Sequence, residues 1–331
     1  MLDSPGVNDS CQGAWVLILS TRESETFLIA KTDSHAVGLT IGAGVFFMSI
    51  STHQLECRVS QTLWKAIEAE CKRTGDSVAH VVERALANDL DLKHHSLFQV
   101  STSSALVEGV FDGCTSVRDL KRHGDFGLGT FEGLDGEMVM LESVCYQVGS
   151  GGTACVVAEE TLVPFATVTR FCSDETFQIE SAVSFKDLLA QIDQRRPSNN
   201  LFVAFRVDGH FREISMRAAC KAEPGEKLVD AIGHQSQFHA ERQKGTLVGF
   251  WAPTYATSIG VPGYHFHFIN DAGTYGGHVF DLNGENFQVG MHVETDIHLA
   301  IPETQQFLSA DLSADHRAAL ERAENATDEN D

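Results

Sequence analysis

The chain has 331 residues, enough for about two domains and a sizeable core. Its composition, 43% hydrophobic and 21% charged, is that of a soluble globular protein, and its formal net charge of -22 argues against a nucleic-acid surface, which needs clustered Lys and Arg. The eight cysteines are scattered with no Cys-x-x-Cys, which favours reduced thiols in a cytoplasm over a disulfide framework, and no segment holds the roughly 18 apolar residues of a membrane span.

The first stretch, 1–48, has no clear period beyond two short apolar runs. Residues 36–50 are apolar and small but lie too far from Met1 to read as a signal peptide. Met48 reads as an alternative start, so 1–48 is expected to be poorly ordered or a mis-called extension. Residues 54–59 alternate like a short strand. Ser60 can cap a helix with Leu63, Ile67 and Cys71 on one face, and Gly75 ends it. A second helix starts at Asp76 or Ser77, with Val78, Val81, Val82, Ala85 and Leu86 as its apolar stripe. Strand, helix, glycine turn and helix in so short a span resemble a ribbon-helix-helix module. In that family two chains pair strands and interlock helices, so 49–92 is expected to be a dimerisation element. Its ribbon would offer Gln54, Glu56, Arg58 and Ser60, a poor surface for DNA.

Lys93-His94-His95 reads as a linker to the remaining domain, 93–331. Short helices are expected near 101–106 and at 117–123. Gly133-Leu134-Asp135-Gly136 is a turn signal before a strand at 137–141. Further strands follow at 144–148, 153–157 and 165–171. Residues 184–194 read as a helix. Asp208-Gly209 between the apolar runs 201–207 and 210–217 reads as a hairpin turn. Residues 238–242 read as loop, 245–251 as strand, 287–301 as strand and 308–324 as helix, with an acidic tail beyond.

The densest chemistry lies in Gly263-Tyr264-His265-Phe266-His267-Phe268. Aromatic and β-branched residues favour a strand, whose period of two puts His265 and His267 on one face and the rings of Tyr264, Phe266 and Phe268 on the other. A turn-rich loop leads to Gly276-Gly277-His278, and a hairpin can bring His278 beside the first pair. Three neutral imidazoles from adjacent strands suit zinc, and three protein ligands leave the open position of a catalytic site.

These residues carry a resemblance. Together with the loop to Gly276-Gly277-His278-Val279-Phe280-Asp281, with Leu134-Asp135-Gly136-Glu137, and with Leu201-Phe202-Val203-Ala204-Phe205-Arg206-Val207-Asp208-Gly209, the stretch resembles the α-acetolactate decarboxylases over roughly residues 95 to 325. The resemblance implies decarboxylation of 2-acetolactate to acetoin and carbon dioxide with Zn2+. It implies His265, His267 and His278 as zinc ligands and Glu137 as a carboxylate beside the metal. It also implies Thr130 as a hydroxyl in the same cluster, Arg217 as the family arginine, and a glutamate from the C-terminal tail. Glu324 is the best-spaced candidate for that glutamate, with Glu321 as runner-up.

The expected architecture is α+β, with mixed, mainly antiparallel sheets in a two-part zinc-dependent core behind a small β-α-α module. The expected partners are the small-molecule substrate and a second copy of the chain in a homodimer, with no nucleic acid and no membrane. The competing readings are a metal-responsive ribbon-helix-helix transcriptional regulator and a zinc hydrolase of unknown substrate.

Overall fold

The structure, a computed structural model, describes residues 57–74, 77–90 and 95–325. The expectations for 1–48 and for positions 54–56 lie outside the described residues. Cys57 to Val59 carry no strand, so the described part of the expected ribbon is irregular chain. Helix α1 (Gln61–Thr74) begins where Ser60 Oγ accepts the Leu63 amide at 3.2 Å, as a serine cap should. Helix α2 (Val78–Asp89) follows. The chain divides between Leu86 and Ala87 into two units. In the first, Leu63 is 50% and Leu86 41% exposed, so apolar side chains of both helices stay in solvent.

The second unit runs β1 (Ser96–Val100), α3 (Ser103–Val107), β2 (Thr115–Ser116), α4 (Val117–His123), β3 (Phe126–Thr130), β4 (Glu137–Leu141) and β5 (Val144–Val148). Then come β6 (Ala154–Val156), β7 (Leu162–Val163), β8 (Phe165–Thr169), β9 (Glu175–Ala182), α5 (Phe185–Asp193), β10 (Phe202–Ala218) and α6 (Leu228–Ile232). It ends with β11 (Ser236–Ala252), β12 (Gly263–Asn270), β13 (Gly276–Glu294), β14 (Asp296–Ala300), α7 (Gln305–Ser309) and α8 (Arg317–Asn325).

Two sheets hold the core. One has seven strands in the order β14-β1-β8-β3-β4-β5-β6, antiparallel except for the β1–β14 pair. The other has the order β10-β11-β12-β13-β9, and β10 also pairs with β13, so the long strands close on one another. This closure pairs β10 on both sides, with β11 and β13, and leaves β9 as an edge strand. Leu97, Phe126, Leu128 and Val139 of the first sheet share an apolar cluster with Phe202, Val248, Phe250 and Ile269 of the second. On the other face of the seven-stranded sheet, Phe98, Met138, Met140 and Val168 pack with Val117 and Leu120 of α4. Alternation along each strand sends Leu97 and Phe98, or Met138 and Val139, to opposite faces. Phe205, Phe211, Phe266, Phe268 and Phe287 are all buried, each contributing roughly 1.5–3 kcal/mol by burial.

The α+β class with mainly antiparallel sheets stands. Several local expectations do not. Asp208-Gly209 is not a turn: β10 runs straight through it and stays paired with β11 at both residues. An added Cβ on Gly209 would lie 2.4 Å from the Phe287 ring, so the glycine admits an aromatic side chain. Asp208 is held by Thr246 Oγ1 at 2.6 Å and Arg206 Nε at 2.9 Å. Residues 238–242, expected as loop, lie inside β11, because its length is set by pairing with β10. The helix expected over 308–324 is two short helices, α7 and α8. Asp311 accepts from the Ser313 amide and Asp315 from the Arg317 amide, both at 3.0 Å, and these local side-chain bonds replace a continuous helix. The strand expected over 287–301 breaks at Thr295, between β13 and β14.

Candidate active site

β12 and β13 form the hairpin expected from the sequence. His267 stands opposite His278 in that pairing, and His278 stands opposite Arg217 in the pairing of β13 with β10. Opposed residues of antiparallel strands share a face, so the three side chains form a row across three strands. His265, two residues before His267, lies on the same face.

The rings converge. His265 Nε2 lies 3.1 Å from His267 Nε2 and 3.1 Å from His278 Nδ1. Ligand nitrogens about 2.05 Å from a tetrahedral zinc are about 3.3 Å apart, so the spacing fits that ion. The tautomer fits as well. His267 Nδ1 lies 2.9 Å from the Met138 carbonyl, which can only accept, so Nδ1 donates and the lone pair of the neutral ring faces the cluster from Nε2. Arg217 is 3% exposed and donates from Nη2 to His278 Nε2 at 3.0 Å. Burial, and then the nearby Arg217 charge, hold His265 down at about 3. Burial does the same first for His267 and His278, which lie well below the usual imidazole value. All three stay neutral, as a metal ligand must, although the Arg217 bond puts the His278 proton on Nδ1, so that ring must shift its proton to turn a lone pair on the cluster.

The seven-stranded sheet adds a carboxylate. Glu137 opens β4, opposite Thr130 at the end of β3. Glu137 Oε1 accepts the Ala219 amide at 2.9 Å, and its Oε2 lies 3.5 Å from His267 Nε2. Gly136 sets the approach: its φ is +81°, and an added Cβ would sit 2.3 Å from the Val148 carbonyl oxygen. Thr130 is buried, and its hydroxyl donates to the Gly136 carbonyl at 2.7 Å. Thr130 therefore braces the turn that delivers Glu137, and its hydroxyl bond goes there, not to the histidines. Glu324 and Glu321 both lie on α8, and their side chains are outside the described residues. The helix itself places Leu320 and Ala323 in an apolar cluster with Leu134, Phe165 and Val261.

His265 also lines a small, partly open crevice. Leu97, Leu128, Phe202, Phe250 and Val261 make its walls apolar, and Gln99 and Thr167 are the other polar residues. Sequence reasoning missed this crevice, because its walls come from distant strands and carry ordinary core residues. It also missed the Met138 carbonyl and the Ala219 amide, since backbone groups leave no residue signature. His95, expected in a linker, is pinned in the fold: its carbonyl accepts the Thr295 amide at 3.0 Å and the Asp296 amide at 2.9 Å.

Comparison with known proteins bears on this geometry. Residues 97–314 match the family model described as alpha-acetolactate decarboxylase. An alpha-acetolactate decarboxylase of Methanosarcina mazei is 43% identical over 229 residues, which cover 69% of this chain and 80% of that one. One of Bacillus subtilis is 37% identical over 217 residues, 65% of this chain and 85% of that one. The crystal structure of alpha-acetolactate decarboxylase from Bacillus subtilis strain 168 superposes with a TM-score of 0.68 at 36% identity, covering 70% of this chain and all of that one.

Proposed function

Because the chain belongs to the alpha-acetolactate decarboxylase family, and is an enzyme of that kind, we propose that it converts 2-acetolactate to acetoin and carbon dioxide at a zinc ion held by His265, His267 and His278. The observation that carries the zinc reading is the meeting of three neutral imidazole nitrogens with the Met138 carbonyl fixing one tautomer. When bound, zinc would supply a Lewis acid for the electron pair that departing carbon dioxide leaves behind.

The chain's own groups do the rest. Cleavage of the bond to the carboxylate leaves two electrons on the adjacent carbon, shared with the neighbouring ketone. Arg217, with a planar fork and a permanent charge, orients the substrate carboxylate or holds the developing oxyanion. The apolar walls of the crevice beside His265 match the chemistry of the substrate's two methyl groups. A proton must then reach the carbon that lost carbon dioxide. Glu137 is the proposed donor, its carboxylate aimed by the Ala219 amide, and Glu324 on α8 is the second candidate, with Glu321 behind it. Thr130 acts through the Gly136 turn, holding Glu137 in place.

Residues 49–92 are proposed to join two copies of the chain, which would cover Leu63 and Leu86. A reducing compartment such as the cytoplasm is proposed from the cysteines, which are free at all seven described positions. Among the described residues no helix is long and apolar enough to cross a membrane. Neither the metal-responsive regulator nor the zinc hydrolase is favoured, since the relatives are decarboxylases along most of their length.

The test is direct. Purified protein is incubated with 2-acetolactate, with and without a chelator, and acetoin is measured. Acetoin formation that the chelator abolishes and zinc restores is expected. Full turnover after verified metal removal would remove zinc from the reaction, and no acetoin in any condition would remove the substrate.

A further inference from the structure

A second group of histidines and carboxylates lies elsewhere in the same unit. His292 and Glu294 alternate on β13, so they share a face, as His265 and His267 do on β12. They stand fourteen and sixteen residues beyond His278, roughly 45 Å or more along an extended strand. Asp174 precedes β9 and His95 precedes β1. One potential ligand atom from each of His95, Asp174 and His292 lies within 4.8 Å of the others.

Both histidines are oriented the way metal ligands are. His95 Nδ1 lies 2.6 Å from the Val293 carbonyl, and His292 Nδ1 lies 2.6 Å from the Cys172 carbonyl. Carbonyls only accept, so each Nδ1 donates and each neutral ring keeps its lone pair on Nε2. Those lone pairs face carboxylates. His95 Nε2 is 3.9 Å from Asp174 Oδ1, and His292 Nε2 is 3.7 Å from Glu294 Oε1. Such distances are too long for a hydrogen bond. They are within the span of two ligands on one ion, at most about 4.3 Å for bonds of about 2.0–2.2 Å. Asp174 Oδ2 is fixed by the Val293 amide at 2.7 Å and lies 3.6 Å from His292 Nδ1, which leaves Oδ1 on the side of His95.

Glu294 is the independent sign. It is 2% exposed, and neither of its carboxylate oxygens has a hydrogen-bond partner among the described residues. Thr169 Oγ1 lies beside it without closing a well-formed bond. Burial pushes its carboxyl up to about 8, and the charges of Asp174 and Asp296 push the same way. A buried carboxylate with no donor is costly unless a cation joins it.

We propose that His95, Asp174 and His292 form a second cation site beside the buried Glu294, separate from the three-histidine centre, for a divalent metal of the zinc class. Two imidazoles and a carboxylate, with a second carboxylate beside them, suit zinc in particular. The site joins the end of β13 to the starts of β1 and β9, so its role is to staple these strands. It takes no part in decarboxylation.

The test counts zinc. Full-length protein is stripped with chelator, loaded with zinc chloride, freed of excess metal and assayed by mass spectrometry. Wild type is expected to hold two zinc ions per chain. His292→Gln and Glu294→Gln should each hold one fewer and still form acetoin. Glu294→Gln removes the charge and keeps the shape of the side chain, so it is expected to fold. A His265→Ala/His267→Ala variant should keep one zinc ion while losing acetoin formation. Zinc counts that none of His292→Gln, Glu294→Gln and Asp174→Asn lowers would overturn the second site, as would a His265→Ala/His267→Ala variant that binds none. A wild type with a single zinc that disappears in His292→Gln but survives in the double variant would uphold this site and contradict zinc at the three histidines.

Discussion

Arg217 and His278 stand opposite each other in the pairing of β10 with β13, and the guanidinium donates to His278 Nε2 at 3.0 Å. A permanent cation beside a proposed metal ligand opposes metal binding unless negative charge is at hand. The substrate carboxylate would supply such a charge beside Arg217, while Glu137 Oε2 lies 3.5 Å from His267 Nε2 on the other side of the cluster. Arg217 lies at the edge of the three-histidine cluster, which agrees with its proposed role toward substrate.

Two substitutions separate the proposed roles. Glu137→Gln keeps shape and should keep the metal, but an amide cannot deliver the proton, so kcat should fall by about 10²–10⁴-fold. Arg217→Lys keeps charge but loses the fork, so a smaller loss, mainly in KM, is expected. The measurement is carbon dioxide release beside chiral analysis of acetoin for each variant. Wild-type turnover with single-enantiomer acetoin from Glu137→Gln would move the donor role to Glu324.

Gly209 gives a test of the fold. Its backbone is extended, so alanine would carry no conformational penalty there, yet the new Cβ would meet the Phe287 ring at 2.4 Å. Gly209→Ala should destabilise by about 1–3 kcal/mol through overpacking, read from the midpoint of urea unfolding. A midpoint equal to or above wild type would contradict the packing described for β10.

Local signals read well where they act locally. The helix at Val117–His123 and the strands at Glu137–Leu141 and Val144–Val148 lie where propensity and turns put them. Ser184 caps α5 by accepting the Asp187 amide at 3.1 Å. The hairpin expected at Asp208-Gly209 failed because its glycine answers to a ring nearly eighty residues away, which no short window contains. Pairing of β10 with β11 likewise extended a strand through residues that read as loop. At the site, period two placed His265 and His267 on one face, and the turn before Gly276 brought His278 across. The Met138 carbonyl, the Ala219 amide and the crevice walls come from other strands, so only the fold reveals them.

Acid should destabilise the metal-free protein. Unfolded histidines titrate near about 6.5, whereas burial holds folded His265 at about 3 and holds His267 and His278 well below their usual value. Between these limits the unfolded chain binds more protons than the folded one. Stability therefore falls as pH drops below about 6.5, and the loss is complete only once the folded rings protonate. Thermal midpoints of chelator-treated protein from pH 7.5 down to 4.5 check this. His278→Gln removes one such ring and should shrink the fall, and an unchanged fall would contradict the cause given.

Removing residues 1–92 tests the proposed dimerisation module. The family match begins at residue 97, so the shortened chain is expected to fold and turn over. Its mass by light scattering should drop by more than the deleted residues. A drop that equals the deleted residues alone would deny the module any part in assembly.

The most direct measurement pairs metal content with acetoin formation in the same preparations of wild type and His278→Ala. The variant is expected to hold one zinc ion fewer per chain than wild type and to form no acetoin from 2-acetolactate. Wild-type zinc content in the variant, or acetoin formed at the wild-type rate without that zinc, would contradict a catalytic metal held by His265, His267 and His278.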